Sequence, residues 1–577
     1  MVISPGSRST PLVAAVLDCQ RLTHQLVIDE RSAAFIALGR AKLDGLPTLL
    51  LCTSGSAVAH YFPAVIEADE GAIPLLMLSA DRPPEAQANR SAQTIDQLHL
   101  FGRKVRGFFD VGMADPSYGA LLGLRRKALQ AFELSRFPAA GPVHINFPAR
   151  KPLEPDRKRL RSADSDEARL ERQVSEVLTV PATERCAVLS IPAQSALDRL
   201  VQSASQAKRP ALLLGPTDPW RAPDSEVLAE FASRSGWPVL CEVTSQARFS
   251  SSNLGAALCD GFDLLARACV ELGVESSQGF VPDFVLQFGQ PPTSSAWARL
   301  EETHPMQRFL VSDAQWPDPA NRASAVIGAD PAALLARLSG VVGPASTEWR
   351  TRMVGANHLV WRVVSSHLQR SSSFDEAAAV SAVSQGLGEG DVLLLGNSLP
   401  IRIAETVMRA RPEHVRVMSQ RGANGIDGLI SLAAGMASNV EGPAHLTAIV
   451  GDVSFLHDVG GLLALTSQSR APLHLTVVAV NNGGGRIFEQ LPLAELVNLD
   501  AWTTPHQLDL SQIGAAFAVP SFRAESAEAL RQALRIARRG RSSLVEAVVA
   551  PHGARALYPS LVSELVAGLR QPLPSGS

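Results

Sequence analysis

Two residues in the last third of the chain end apolar runs with side chains suited to a hard cation. The run HLTAIV ends in Gly451-Asp452, and LHLTVVAV ends in Asn481-Asn482. Between them FLHDVGGLLALTSQ has helical apolar spacing. Strand, helix and strand over about 30 residues make a crossover that leaves the strands parallel and adjacent. Open α/β sheets bind ligands beyond the carboxyl ends of their strands, so Asp452 and Asn482 are expected on one rim. A carboxylate and an amide oxygen suit Mg²⁺, which takes its remaining ligands from phosphates and water. Gly483, Gly484 and Gly485 follow, where the backbone can approach a ligand without Cβ interference. Taken singly, Asp452 reads as a helix N-cap and the Asn-Gly step as a left-handed turn. The pair, each at a strand end, favours a site for a metal and a diphosphate.

Such a rim needs a parallel sheet behind it, and the sequence supplies the elements three times. Short apolar strands alternate with amphipathic segments throughout, the pattern of sheets with helices on both faces. HQLVID, LPTLLLCTSG, AIPLLMLSADRP and GPVHINFP are the strand units of a first block. RPALLLGP, WPVLCEV, FVLQFG and RFLVSDA form a second. DVLLLGNSLP, VRVMSQRGANG, HLTAIVGD, LHLTVVAVNN and SSLVEAVVA form a third. ERSAAFIALGRAKL, SAVAHYFPAVIEADE and HLVWRVVSSHLQ read as helices. The expected architecture is α/β, three doubly wound parallel-sheet domains in series over residues 1–165, 190–345 and 370–565. The charged, proline-bearing stretch 152–176 reads as a solvated linker.

Composition narrows the function class. At 577 residues with 46% hydrophobic and 19% charged residues, the chain has material for several cores. A net charge of −3 argues against a nucleic-acid scaffold or a polybasic membrane binder. No apolar run approaches the roughly 20 residues of a membrane helix. The six cysteines lack CxxC spacing and read as buried thiols of a cytoplasmic protein. The opening VISPGSRSTPL reads as the tail of a buried strand and its loop, with the domain's first helix absent ahead of it or the start set too far downstream.

The GD…NN spacing resembles the thiamin diphosphate fingerprint, although Val453 stands where the usual GDG has its second glycine. That resemblance implies Mg²⁺, or Mn²⁺, held by Asp452, Asn482 and the carbonyl of Gly484. It also implies a carboxyl group against the cofactor's aminopyrimidine, buried so that it shares a proton with a ring nitrogen. Glu30, after LVID and at the head of RSAAFIALGRAK, fits that role; alone it would read as a solvated acid at a helix N-terminus.

SPGSRSTPL, DER, TSGSAVA, ADRPPE, GNSLPIR, RGANGIDG and NNGGGRIF together resemble the MenD family, the 2-succinyl-5-enolpyruvyl-6-hydroxy-3-cyclohexene-1-carboxylate synthases of menaquinone biosynthesis. The family joins 2-oxoglutarate, with loss of CO₂, to isochorismate by 1,4-addition. Their carboxylates call for guanidinium forks. By resemblance the substrate-binding residues are Ser7, Arg8, Arg82, Gln93, Ser398, Arg402 and Arg421. By the same resemblance Ile426, Ile487, Phe488 and Leu491 are expected to wall the cofactor cleft, though each could equally be plain core. The chain departs from relatives that carry an Asn at Ala92 and a substrate-binding Lys within GQPPTSSAW, where Ser294 and Ser295 stand. The family also implies a homodimer, or a dimer of dimers, with each cofactor held between two subunits. The alternatives are another thiamin diphosphate-dependent decarboxylase or carboligase, and a non-catalytic protein of the same fold. No GxxxxGK[ST] and no GxGxxG after a strand supports a nucleotide-binding reading.

Overall fold

In the computed structural model, which describes residues 1–155, 165–181, 190–249, 254–312, 315–440, 444–466 and 473–573, the strands form three six-stranded sheets. In spatial order the first runs Gln25–Leu26, Val2–Ser4, Thr48–Cys52, Leu75–Asp81, Pro142–Pro148 and Gly107–Asp110. The central sheet runs Ala325–Ile327, Gln307–Val311, Phe284–Phe288, Pro210–Leu214, Val239–Cys241 and Leu258–Cys259. The third runs Arg416–Ser419, Val392–Leu395, Leu446–Gly451, Leu475–Asn481, Ser542–Val548 and Ser521–Ala524. All pairings are parallel. Numbered by chain order within each sheet, the first and third share the order 2-1-3-4-6-5, whereas the central sheet runs 6-5-4-1-2-3.

The inner strands are apolar throughout and buried, as parallel strands covered on both faces must be. Leu75–Asp81 and Leu475–Asn481 have almost no exposed residue. The strands that the sequence pattern misses are Gly107–Asp110, Leu258–Cys259, Ala325–Ile327 and Ser521–Ala524, each at a sheet edge. Each of these four pairs on one side only and is just two to four residues long. HQLVID shrinks for the same reason to Gln25–Leu26, and Ile28 is 82% exposed.

Two further expectations change. The stretch 152–176 is not simply a linker: Asp166–Thr179 is a helix, capped by Ser165 Oγ accepting from Ala168 N at 3.1 Å. Its carbonyl at Val177 accepts from Arg125 Nη1 at 2.7 Å, and Val177 is buried. Leu170, Val174, Val177 and Leu178 recur at helical spacing there, an apolar stripe hidden in the sequence by the charges around it. The segment before Asn481 is split into Asp452–His457, a 3₁₀ turn and Leu462–Thr466; Gly460-Gly461 interrupts it, and residues 467–472 lie outside the described set.

The chain divides into two compact units. The first holds Met1–Val188 with Gly422–Asn439; the second holds the central and third sheets. The helix Leu429–Ala437 thus belongs to the first unit, where it packs on Glu30–Asp44. Cys52, Cys241, Cys259 and Cys269 are buried and free, with burial pushing Cys52, Cys241 and Cys269 up to about 12. Cys186 lies outside the described residues. Among those residues no helix is long and apolar enough to cross a membrane.

Candidate active site

Strands Leu446–Gly451 and Leu475–Asn481 pair in register, Gly451 opposite Val480, so the residues that follow them share the sheet's carboxyl rim. Gly451 is the N-cap of the next helix and Asp452 its first residue. Asp452 is buried; its Oδ1 accepts from Val453 N at 2.7 Å and its Oδ2 from Gly484 N at 2.8 Å. Burial pushes this carboxyl above its usual range, opposed by those two N–H donors. His506 Nε2 lies 3.4 Å from Oδ2.

Asn482 is also buried, and its two ends have different fates. Nδ2 donates to Glu376 Oε1 at 2.8 Å, while Oδ1 is buried without a hydrogen-bond partner. A desolvated acceptor left unpaired costs about 1–3 kcal/mol, a cost that a bound cation would remove. Gly484 has φ +139°, and a Cβ there would stand 2.4 Å from Thr503 O, so only glycine fits. Its carbonyl accepts from Arg486 N at 2.8 Å and keeps a second lone pair. The donor set is hard oxygen and fits Mg²⁺. Among the described residues no cluster of three His, Cys, Asp or Glu offers an alternative metal site. Ile487 packs partly against the core, Phe488 is half-buried, and Leu491 is 46% exposed.

In the first unit the loop after Val2–Ser4 carries Ser7, which is exposed, and Arg8, which is buried. Arg8 Nη1 donates to Ala149 O at 2.7 Å. Arg82 follows Asp81 at the end of Leu75–Asp81. The Nε atoms of Arg8 and Arg82 are both buried without a hydrogen-bond partner. Burial first, and then the charge of Arg82, hold Arg8 below the usual guanidinium range, with Asp81 opposing. Two neighbouring guanidinium groups with unmade hydrogen bonds suit a carboxylate. Gln93 is exposed, in a left-handed conformation at φ +51°, and its carbonyl accepts from Ser54 Oγ at 3.0 Å.

Glu30 is the first residue of Glu30–Asp44, behind the N-cap Asp29, whose side chain accepts from Arg31 N at 2.8 Å. It is half-buried in the single chain rather than enclosed. Its charge helps to raise the buried Cys52 and Tyr61 on the adjoining elements. Ile426 lies in the same unit, half-buried in the loop before Leu429–Ala437.

In the second unit Ser398 takes φ +73° at the N-cap of Leu399–Val407, a strained conformation for a residue with a Cβ. Its carbonyl accepts from Arg402 Nη1 at 2.8 Å. Arg421, after Arg416–Ser419, donates from Nη1 to Asn397 Oδ1 at 3.3 Å. Burial holds Arg402 below its usual range. Ala92 is exposed, and Ser295 opens the helix Ser295–Thr303 behind the cap Ser294.

Three acids that sequence reasoning missed support these loops. Glu376 orients Asn482. Glu67 is buried and accepts from Gly422 N at 2.7 Å and Ala423 N at 2.6 Å, fixing the loop that carries Ile426. Glu242 closes the strand Val239–Cys241 and is treated below. Glu242 alone had a visible signal: like Asp452, it ends an apolar run.

The family model for the thiamine pyrophosphate enzyme N-terminal TPP binding domain matches residues 1–100. A 2-succinyl-5-enolpyruvyl-6-hydroxy-3-cyclohexene-1-carboxylate synthase of Sorangium cellulosum is 37% identical over 98% of this chain and 92% of its own length. One of Chloroflexus aurantiacus is 35% identical over 95% and 90%. The solved benzoylformate decarboxylase of Polynucleobacter necessarius superposes with a TM-score of 0.69 at 15% identity, covering 95% of each chain. That likeness identifies the thiamin diphosphate-enzyme fold.

Proposed function

Because the chain belongs to the 2-succinyl-5-enolpyruvyl-6-hydroxy-3-cyclohexene-1-carboxylate synthase family, we propose that it decarboxylates 2-oxoglutarate and adds the four-carbon remainder to isochorismate. It is a thiamin diphosphate-dependent transferase. When bound, that cofactor supplies the electron sink for decarboxylation. Asp452, the Oδ1 of Asn482 and the carbonyl of Gly484 would hold Mg²⁺, or Mn²⁺, against the diphosphate. By accepting the N–H of Asn482, Glu376 would leave the Asn482 amide oxygen free for that ion. Glu30 would hold the proton exchanged with the aminopyrimidine. Ser7, Arg8, Arg82 and Gln93 on one sheet, and Ser398, Arg402 and Arg421 on another, would bind the substrate carboxylates. Ile426, Ile487, Phe488 and Leu491 would exclude water from the cofactor.

The observation that carries the reading is the pair Arg8 and Arg82, each with an unmet buried Nε. Asp81 offsets part of their charge but leaves both Nε atoms unpaired, hydrogen bonds that a bound carboxylate would take up. The half-buried Glu30 and the exposed Leu491 fit a homodimer in which a second subunit covers them, in the cytoplasm, on domains with the boundaries expected above.

The test is purified protein with thiamin diphosphate, Mg²⁺, 2-oxoglutarate and isochorismate, following isochorismate loss and product mass. Equal consumption of both substrates, with a product of the summed mass less CO₂, is expected. CO₂ release without isochorismate loss would replace the reading by a simple 2-oxoacid decarboxylase.

A further inference from the structure

The carboxyl rim of the central sheet carries a buried acid to which the mechanism above gives no task. Glu242 follows Val239–Cys241 and is 1% exposed. Its Oε1 accepts from Thr293 N at 2.5 Å and its Oε2 from the Thr293 hydroxyl at 3.3 Å. Thr293 belongs to the GQPPTSSAW stretch. We propose that Glu242 takes up the proton that accompanies binding of a substrate carboxylate to Arg402 and Arg421. This rests on reading those arginines as substrate clamps.

The charges facing Glu242 come from four elements. Arg421 lies beyond Arg416–Ser419, and Arg248 lies on the loop after Val239–Cys241; both favour its ionised form. Asp263 on Phe262–Leu272 opposes it. On Leu399–Val407, Arg402 and Glu405 both sense its charge. Arg267 pairs with Asp263 at 2.9 Å, and Asp260 adds negative charge near Arg248. Four carboxyl groups (Glu242, Asp260, Asp263 and Glu405) thus meet four guanidinium groups (Arg248, Arg267, Arg402 and Arg421). Ionised, this cluster is neutral, and a substrate carboxylate brings one negative charge too many into a poorly solvated place.

Which acid then takes a proton is decided by partners. Glu405 is ion-paired with Arg248 and accepts from Val243 N at 2.7 Å. Asp263 is ion-paired with Arg267. Asp260 accepts from Trp361 Nε1 at 2.7 Å, Asn357 Nδ2 at 3.0 Å and Ala410 N at 2.7 Å. Among the described residues, the carboxyl of Glu242 has only the neutral donors of Thr293 as hydrogen-bond partners. Burial raises both Glu242, to about 7, and Glu405, whose rise the ion pair with Arg248 opposes; Glu242, with no ion-pair partner of its own among the described residues, is the acid placed to take the proton. The substrate carboxylate displaces the influence of Arg421 and Arg402 from Glu242, so the proton moves from solvent to Glu242 as the anion binds.

The holoenzyme is titrated calorimetrically at pH 8 with glutarate, a dicarboxylate without the reactive keto group, in buffers of different ionisation enthalpy. The wild type should take up most of one proton per glutarate, and Glu242→Gln, which keeps an acceptor for Thr293 N, should take up none. The KM for 2-oxoglutarate should rise about tenfold per pH unit above 7 in the wild type and stay flat in Glu242→Gln, with little change in kcat. The same KM slope in both proteins, or no proton uptake by the wild type, overturns the proposal. Calorimetry on the wild type alone decides it if Glu242→Gln does not fold. A wild type that leaves 2-oxoglutarate unconsumed removes the substrate reading itself, whereas turnover without proton uptake removes only the role of Glu242.

Discussion

Beyond the third strand of the first sheet, Thr48–Cys52, the chain continues into Thr53; beyond the third strand of the third sheet, Leu446–Gly451, it continues into Asp452. The fourth strands end before Arg82 and before Asn482. The first strands lead to Ser7-Arg8 and to Ser398 and Arg402, the second to Glu30 and to Arg421. With one strand order in both sheets, these are the same positions on two rims. The topology provides places; residue type and local backbone decide what they gather. The third sheet's third and fourth strands gather oxygen atoms, and the loop after the fourth passes through φ +79° at Gly483 and +139° at Gly484 to bring backbone into the site. The first sheet gathers guanidinium groups, with Asp81 buried beneath them as a counter-charge.

The most damaging change should be Asp452→Ala, which removes the only charged oxygen of the metal set. Thiamin diphosphate binding that depends on Mg²⁺ should vanish in a tryptophan-fluorescence titration, and kcat/KM should fall on the order of 1000-fold. Retained Mg²⁺-dependent binding would erase the contrast between the two rims. Arg82→Lys tests the other rim. It keeps the charge but loses the planar fork, so KM for a substrate should rise about 10- to 100-fold while cofactor affinity holds. A matching loss of cofactor affinity would mean that both rims serve the diphosphate.

Glu376→Gln sharpens the contrast more gently. The variant can still accept from Asn482 Nδ2, but without charge, and the amide oxygen of Asn482 becomes less firmly turned outward. Mg²⁺ affinity should fall about tenfold, read from the metal concentration needed for half-maximal thiamin diphosphate binding, with substrate KM unchanged. Unaltered affinity would assign Glu376 to packing alone.

This partner also marks what the sequence could convey. Asp452 and Asn482 were legible because each ends an apolar strand in adjacent units, so local pattern and topology pointed to one rim. Arg8 and Arg82 were legible through their loops. Glu376 and Glu67 were not, because an acid in the first turn of a helix, or in EADE at the end of one, looks like an ordinary solvated charge; only the fold brings Asn482 and Gly422 against them. The sheets' inner strands announced themselves by apolar runs, and four of the six edge strands did not. Nor could periodicity indicate that Leu429–Ala437, which follows the third sheet's second strand in the chain, belongs with the first unit.

That helix provides the last test. At Gly39, on Glu30–Asp44, a Cβ would lie 2.1 Å from Leu432 O and 3.0 Å from Met436 N; at Gly435 it would lie 2.0 Å from Ile36 O. The obstacles are backbone atoms of a neighbouring helix, which cannot turn aside as a side chain can. Gly39→Ala would gain about 1 kcal/mol of helix propensity but lose about 1–3 kcal/mol to overpacking, so net destabilisation is expected. All seven tryptophans fall in the second unit, which separates the two regions optically. In urea, the far-UV circular dichroism transition of Gly39→Ala should begin earlier than in the wild type, while the tryptophan transition stays near its wild-type midpoint. If both transitions shift together, the two units unfold as one block, and the contrast drawn between their rims is one of chemistry and not of stability.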